Sequence, residues 1–238
     1  MSEIFITPTA KKRLLKDVKD VLKNPLTSHG IYYIHDDQNI MKGCACIMGP
    51  SDTLYSNGAY LFTFDFPSEY PFKPPIIKYM TNDGKTRFHP NLYRTGKVCL
   101  SILNTWKGEQ WTSCQSIKTI LLALVTLFHN KPLLCEPGFK ESHKDFIPYN
   151  KILEYKNFEI AINNIEPKLV NNFILFKSFI KNHIISKKEE IIEKIENLEK
   201  SEDNNTIQRT RCYNMVTKLE YSKIKVGFEK LIKDYSKN

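Results

Sequence analysis

Glycine and proline are concentrated in the first part of the chain, and this uneven distribution limits what each part can fold into. Of the 21 such residues in the 238-residue sequence, 19 lie before position 150, and only Pro167 and Gly227 lie after it. Both residue types interrupt helices and mark turns. We therefore predict a turn-rich domain of mixed structure at residues 1–150 and a helical extension at residues 151–238, packed on or beside it.

The first region combines one helical pattern with several extended ones. Residues 8–23 carry apolar side chains on one stripe at helical spacing, and Asn24-Pro25 ends that pattern. Four short extended runs, separated by turn residues, follow at Ile31–Ile34, Lys42–Met48, Tyr60–Phe66 and Ile76–Met80. Short connections between consecutive strands are typical of an antiparallel meander.

Helical patterns return after an irregular segment at residues 81–112. They cover Ser113–Phe128, Tyr149–Asn163, Pro167–Leu198 with one break, and Thr206–Tyr235. The predicted fold class is therefore α+β: an N-terminal helix, a four-stranded antiparallel meander and C-terminal helices, followed by an all-helical extension. An irregular segment as long as residues 81–112 is usually functional when it lies inside a compact domain.

Charge and apolar patterning argue against several classes of function. The formal net charge of +9 is shared almost evenly between the two regions, without the basic arm typical of a nucleic-acid binder. The longest nearly apolar stretch, Ile120–Phe128, is too short to span a bilayer, and the residues after Met1 lack a secretory pattern. We therefore expect no nucleic-acid partner and no membrane association, and a helical nucleic-acid binder is the alternative from a different class.

Most of the six cysteines are better explained by packing than by chemistry. Cys44 and Cys46 alternate along a predicted strand, and cysteine is among the most buried residue types. His29 and His35 are poorly spaced for joining them in a zinc site, so we predict no metal site. Cys114 is predicted to open a helix, where the helix dipole would lower its pKa.

Cys99 has a different setting, because it ends the irregular run Phe88–Cys99 within that segment. Gly96 and Lys97 allow a tight turn that we expect to leave the thiol near the surface, and Asn91 lies eight residues earlier across a predicted hairpin. A nucleophilic cysteine needs access, and an acyl intermediate needs a hydrogen-bond donor for its developing oxyanion. Cys99 and Asn91 are therefore the candidate catalytic pair.

Four motifs, in this order, resemble the ubiquitin-conjugating enzyme family. They are Tyr70-Pro71-Phe72-Lys73-Pro74-Pro75, His89-Pro90-Asn91, Cys99-Leu100-Ser101-Ile102-Leu103 and the tryptophans Trp106 and Trp111. The lengthened Lys107–Gln110 segment and Glu136-Pro137-Gly138-Phe139 look most like the large class of that family, whose members carry C-terminal extensions. The resemblance runs from the first helix to about residue 150 and implies the family's α+β fold.

The resemblance also implies a role for each motif residue. Cys99 would accept the C-terminal carboxyl group of ubiquitin as a thioester from an activating enzyme and pass it to a substrate lysine or a ligase. Asn91 would stabilise the oxyanion or hold the active-site loop, and His89 would support that loop. Glu136 falls near the family's acidic position beside the incoming lysine, with a solvated loop acid as the alternative.

Partner surfaces follow from the same resemblance. Phe72 lies in the loop through which family members meet ligases, and local packing is the alternative reading. Lys12, Arg13 and Lys16 resemble the family's basic patch for the activating enzyme, and a solvated basic face is the alternative. No cofactor is expected to be bound, because the activating enzyme consumes the ATP.

Two related functions stay open at this point. One is the same chemistry with another ubiquitin-like modifier, and the other is a non-catalytic ubiquitin-binding variant. Such variants lack the cysteine, whereas this chain keeps both Cys99 and Asn91. Cysteine usage favours the cytoplasm or nucleus. The abundance of Ile, Lys and Asn indicates an AT-rich genome, so those compartments of a host cell are an alternative setting.

Overall fold

A four-stranded antiparallel sheet organises the chain in the computed structural model, which describes residues 6–237. Helix α1 (Pro8–Lys23) precedes strands β1 (Ile31–His35), β2 (Lys42–Met48), β3 (Ala59–Asp65) and β4 (Ile76–Tyr79). The remaining elements are α2 (Ile117–Val125), α3 (Phe146–Lys156), α4 (Lys177–Ser186), α5 (Lys188–Glu199), strands β5 (Ile207–Thr210) and β6 (Met215–Lys218), and α6 (Tyr221–Ser236). The predicted α+β fold is confirmed.

Helix α1 begins and ends where local sequence signals place it. The Thr7 hydroxyl accepts a hydrogen bond from the Ala10 amide at 3.2 Å, and Pro8 occupies the first turn, where a proline is tolerated. Asn24 ends the helix. The inward stripe buries Leu14, Val18 and other apolar residues, as the helical spacing predicts.

The sheet is a simple meander in the order β1-β2-β3-β4, as predicted. Its register aligns Tyr33 with Ala45, Ala45 with Phe62, and Phe62 with Tyr79. Because side chains alternate along a strand, this row and its neighbours two positions away share one face. That face packs against α1 and α2 in the larger apolar cluster.

The opposite face of the sheet is also apolar, and the C-terminal region covers it. Cys44, Cys46 and Leu61 point to this side and are nearly inaccessible. They belong to a second apolar cluster together with residues of the C-terminal elements, among them Phe158, Phe173, Phe176, Ile180, Ile191, Leu219 and Phe228. The prediction that the two strand cysteines serve packing is confirmed, and burial raises the pKa of Cys44 to about 12.

The extension contains a β-hairpin that the sequence analysis misses. A continuous helix over Thr206–Tyr235 is wrong for residues 207–218, where β5 and β6 pair antiparallel, and α6 begins only at Tyr221. The physical reason is an alternation typical of strands: in β6, Met215 and Thr217 are buried, whereas their neighbours Val216 and Lys218 are exposed. The tip places Tyr213 at φ 62°, in the left-handed region.

Other helix boundaries also differ from prediction. Helix α2 starts at Ile117, where Ser116 and Thr119 form a capping box, so Cys114 lies before the helix and is exposed. The pattern over Tyr149–Asn163 is α3 followed by a π-helix at Asn157–Asn163. The helix predicted over Pro167–Leu198 is wrong for its first ten residues, which form only short 3₁₀ turns before α4 begins at Lys177, whereas the break at Lys187 separates α4 from α5. Within residues 6–237, no helix has both the length and the apolar content needed to cross a bilayer.

A buried asparagine joins the C-terminal region to the sheet. Asn157 has no solvent exposure; its Oδ1 accepts a hydrogen bond from the Tyr60 hydroxyl at 2.6 Å, and its Nδ2 donates to the Ser56 carbonyl at 2.9 Å. A Cβ on Gly58 would lie 2.0 Å from the Asn157 amide oxygen, so this approach requires a glycine. One amide therefore satisfies two buried polar groups of the sheet region.

Replacing Asn157 by leucine should destabilise the protein strongly. Asn157→Leu leaves the Tyr60 hydroxyl and the Ser56 carbonyl buried without a partner, and each such loss costs roughly 1–3 kcal/mol. We expect the free energy of unfolding, measured by urea denaturation, to fall by about 2–5 kcal/mol. Asn164→Ala is the matched control, because the exposed Asn164 side chain donates only to the Glu159 carbonyl. Equal effects of the two substitutions would contradict the assignment.

Candidate active site

The segment that holds Cys99 is attached to the edge of the sheet. The Tyr79 amide of β4 donates to the Gly96 carbonyl at 2.7 Å. Gly96 has φ 88°, and a Cβ there would lie 2.9 Å from the Tyr79 carbonyl oxygen. Only glycine combines this backbone conformation with so close an approach. The turn that leads to Cys99 is thus fixed to β4.

Asn91 and Cys99 lie opposite each other and are joined twice. The Cys99 amide donates to the Asn91 carbonyl at 2.9 Å, and the Asn91 side-chain Nδ2 donates to the Cys99 carbonyl at 2.5 Å. Asn91 is itself buried, at 8% exposure. The structure therefore brings the two predicted catalytic residues together, and the asparagine amide contacts the backbone of the cysteine.

The Cys99 thiol does not lie at the surface as expected from Gly96 and Lys97. Cys99 is only 2% exposed, although Thr95 and Lys97 beside it in the turn are exposed. The tip of the turn is formed by Tyr93–Gly96, and the pairing with Asn91 draws Cys99 into the packed side of the loop. The free protein therefore shields its candidate nucleophile.

His89 is a buried, neutral side chain that supports the loop. Its Nδ1 accepts a hydrogen bond from the Asn91 amide at 2.9 Å, so the proton of the neutral ring is on Nε2. Burial, together with the nearby His129 and Arg87, lowers the pKa of His89 to about 3. Within residues 6–237, the buried Nε2 has no hydrogen-bond partner. This hydrogen bond joins the His89 ring to the backbone of Asn91, and the supporting role of His89 stays a prediction.

His89, His129 and Cys135 form the one cluster with metal-ligand spacing among the residues that the structure describes. Their potential ligand atoms lie within 4.8 Å of one another. Both histidines use the Nδ1 lone pair to accept a backbone amide, from Asn91 and from Lys131, so each neutral ring carries its proton on Nε2. A metal ligand needs a free nitrogen lone pair. The arrangement therefore favours hydrogen bonding, such as the contact of 3.4 Å between His129 Nε2 and Cys135 Sγ, over metal binding.

Glu136 is held by a residue of the C-terminal hairpin. The Tyr213 hydroxyl donates a hydrogen bond to the Glu136 carboxylate, and the Tyr213 ring lies 4.8 Å from the Arg87 guanidinium. Arg87 in turn donates to the carbonyls of His89 and Pro90, at 3.2 Å each. Sequence reasoning missed Tyr213 and Arg87, because no local pattern marks a contact between such distant segments.

The predicted partner residues differ in exposure and in the contacts that they make. Phe72 is 75% exposed, in a loop held by a hydrogen bond of 2.6 Å from Trp111 Nε1 to the Pro71 carbonyl. Lys12 and Lys16 are exposed on α1. Arg13 points inward instead, where it binds Asp17 and donates to the Ser113 and Gln115 carbonyls. Its contacts therefore join α1 to the segment before α2.

Comparisons with known proteins converge on one family. A family model described as ubiquitin-conjugating enzyme matches residues 13–151. Human ubiquitin-conjugating enzyme E2 Z is 38% identical over 158 residues, covering 65% of this chain and 44% of that protein. The probable ubiquitin-conjugating enzyme protein 17 of Caenorhabditis elegans is 34% identical over 194 residues, covering 76% and 26% respectively. The chain thus spans less than half the length of these two relatives.

Similarity to solved structures extends over a smaller part of the chain, as one example shows. The structure of human ubiquitin-conjugating enzyme E2 G1 covers 52% of this chain and 98% of its own, with 29% sequence identity and a TM-score of 0.46.

The buried His89 should make stability depend on pH in a defined window. Its folded pKa of about 3 lies below the ordinary value of 6.5, so the unfolded chain binds a proton first as the pH falls. The stabilisation is complete above pH 6.5 and is lost toward pH 3, by roughly 1.4 kcal/mol per pH unit. Denaturant titrations from pH 6.5 to pH 4.5 should show a slope that is shallower by this amount in His89→Gln than in the wild type. Identical slopes would show that His89 titrates normally in the folded state.

Proposed function

We propose that this chain, which belongs to the ubiquitin-conjugating enzyme family, accepts ubiquitin from an activating enzyme as a thioester on Cys99 and transfers it to a substrate lysine or a ligase. The observation that carries the proposal is the double hydrogen bond between Asn91 and Cys99. It places an amide donor and a single cysteine in one loop fixed to the sheet edge. This pair meets the needs of acyl transfer, a nucleophile and an oxyanion donor.

Both steps exchange one acyl bond for another. In charging, the Cys99 sulfur attacks the ubiquitin thioester carbonyl, a new C–S bond forms, and the thiol of the activating enzyme leaves with the proton given up by Cys99. In transfer, a lysine amine attacks this carbonyl, the C–N bond forms, and Cys99 leaves and regains a proton from the amine. ATP consumed by the activating enzyme supplies the energy, so the chain itself needs no bound cofactor.

Asn91 can serve both the loop and the reaction, because its amide carries two N–H groups. One hydrogen of Nδ2 goes to the Cys99 carbonyl, which leaves the second for the oxyanion that forms at the thioester carbonyl. His89 fixes the asparagine from the other side through the Asn91 amide. In this proposal His89 is a positioning residue, and its neutral state leaves Nδ1 free to accept the hydrogen bond from the Asn91 amide.

Glu136 is the proposed acidic group beside the incoming lysine. Its carboxylate is half-buried and fixed by Tyr213, so its position is defined before an acceptor arrives. A carboxylate held there would orient the acceptor ammonium and accept its proton.

Exposed residues on the Phe72 loop and on α1 suit the protein partners. Phe72, a large exposed aromatic on an anchored loop, is the proposed ligase contact. Lys12 and Lys16 offer free positive charge to an activating enzyme, whereas Arg13 contributes by fixing α1. The cytoplasm and the nucleus are the proposed sites of action.

Removal of the Cys99 thiol should abolish charging. With ubiquitin, an activating enzyme and ATP, the wild type should give a band on a non-reducing gel that reductant removes. Cys99→Ala should give none, because no other thiol has the Asn91 partner, and Cys99→Ser should give a slower, reductant-stable oxyester. Cys114→Ala and Cys135→Ala are matched controls that should charge normally. Charging of Cys99→Ala would refute the assignment, and a panel of ubiquitin-like modifiers in the same assay would identify a different modifier.

Loss of the Asn91 side-chain amide should slow the transfer of ubiquitin to lysine without preventing the charging of Cys99. Asn91→Ala should still charge, since the activating enzyme contributes to that step, but single-turnover discharge to free lysine should slow by about 100-fold, the size expected for one lost oxyanion donor. Asn164→Ala, an exposed asparagine far from Cys99 in the sequence, should discharge like the wild type. Equal losses in charging and discharge of Asn91→Ala would restrict Asn91 to holding the loop.

A further inference from the structure

We propose that the tip of the C-terminal hairpin, residues 211–215, is a working part of the active site. Through Tyr213 it positions both the Glu136 carboxylate and the Arg87 side chain for transfer of the acyl group to an acceptor amine. The inference rests on the proposed function of Cys99. It assigns a positioning role to a segment outside residues 13–151, the part of the chain that the family model matches.

The first contact fixes the orientation of Glu136. The Tyr213 hydroxyl donates to Glu136 Oε2, which leaves Oε1 as the oxygen available to an incoming amine. Burial raises the pKa of Tyr213, and the hydrogen bond to Glu136 raises this pKa further, so the phenol remains a donor at physiological pH. A loop carboxylate would otherwise sample several rotamers, and the phenol restricts it to one.

The second contact connects the same ring to the turn that carries Asn91. The Arg87 guanidinium lies between two tyrosine rings, 3.4 Å from the centroid of Tyr93 and 4.8 Å from that of Tyr213. Its Nη2 donates to the Pro90 carbonyl at 2.5 Å, immediately before Asn91. Tyr213 therefore restricts the arginine that holds the backbone of the His89-Pro90-Asn91 turn.

The backbone of the tip is attached to the catalytic domain independently of the Tyr213 side chain. The Cys212 amide donates to Asp145 Oδ2 at 2.7 Å, and Arg94 donates to the Tyr213 carbonyl. Met215 is 4% exposed and belongs to the apolar cluster of α1 and α2, not to that of the extension. These attachments hold Tyr213 in the left-handed region, a conformation that costs a non-glycine residue energy unless its surroundings impose it.

These contacts predict an effect on one step of the reaction only. Charging involves no acceptor amine, so it does not need an oriented Glu136 carboxylate. Transfer to an amine does need it. A tip that merely stabilised the fold would change both steps together, and its effect would not depend on the presence of Glu136.

The test uses the full chain and four variants: Tyr213→Phe, Glu136→Ala, their double mutant, and Val216→Ala as a control on the exposed side of β6, where Val216 is 57% exposed. Tyr213→Phe keeps the ring against Arg87 and removes only the hydroxyl. The measurements are the rate of thioester formation, the single-turnover rate of discharge to free lysine, and the melting temperature.

Tyr213→Phe should charge at the wild-type rate but discharge about tenfold more slowly, the size expected for one hydrogen bond to a charged group. In the Glu136→Ala background, the same change should have no further effect, because the two residues act as one unit. Val216→Ala should match the wild type in both rates.

Three results would overturn the proposal. One is wild-type discharge by Tyr213→Phe, and another is an undiminished effect of this substitution in Glu136→Ala. The third is an equal loss of charging and discharge with a lower melting temperature, which would restrict the tip to stabilising the fold. If the wild type forms no thioester on Cys99, the proposed function fails, and this outcome is distinct because it appears before any variant is compared.

Discussion

The burial of both faces of the central sheet is the constraint on which the rest of the structure depends. Strands β2 and β3 are almost entirely inaccessible, so each face needs its own apolar cover. Helices α1 and α2 cover one face, and the segment from Phe158 to α6 covers the other. Exposing either face to water would cost roughly 25 cal/mol per Å² of apolar surface, so the folded state needs both covers. The C-terminal region is therefore tied to the sheet by packing.

The proposed site is rigid because the segments that form it are attached to this sheet. The turn before Cys99 is fixed to β4 through Gly96, and Asn157 connects β3 to the C-terminal region through Tyr60. The reacting groups proposed above lie on irregular segments, which are mobile in many proteins. Here individual hydrogen bonds of backbone and side-chain groups hold these segments in place, instead of the regular hydrogen bonding of a strand or helix. Positioning of this kind suits thioester chemistry, which needs a defined geometry more than a strong base.

The sequence was most informative where the structural cause is local. Helix α1 is predicted to the residue, because Thr7, Pro8 and Asn24 act on their immediate neighbours. The strands are predicted within one residue at each end, since turn residues bound each short extended run. The family resemblance, based on four motifs, is confirmed by the family model. Cys99 and Asn91 were already candidates from their local setting, and the fold places them together.

The features that the sequence did not reveal depend on distant contacts. The burial of Cys99 results from packing around its loop, and a turn with Gly96 and Lys97 gives no sign of it. The hairpin at residues 207–218 has two strands of only four residues, and alternate positions in them are exposed. So short a pattern is easily mistaken for part of the helical patterns on either side. Tyr213 and Glu136 are 77 positions apart in the sequence. The local sequence pattern of either segment therefore cannot predict that contact.

The contacts of the proposed active site therefore extend beyond the boundary of the family match. The match ends at residue 151, yet Met215 is buried in the cluster of α1 and α2, and Tyr213 contacts Arg87 and Glu136. Because the sheet requires a cover on its second face, the chain has to return across the molecule after α3. The hairpin follows from that return, and its tip reaches the loop of Cys99. A segment that follows from the burial of the sheet is in this way brought within hydrogen-bonding distance of Glu136, the proposed acidic group.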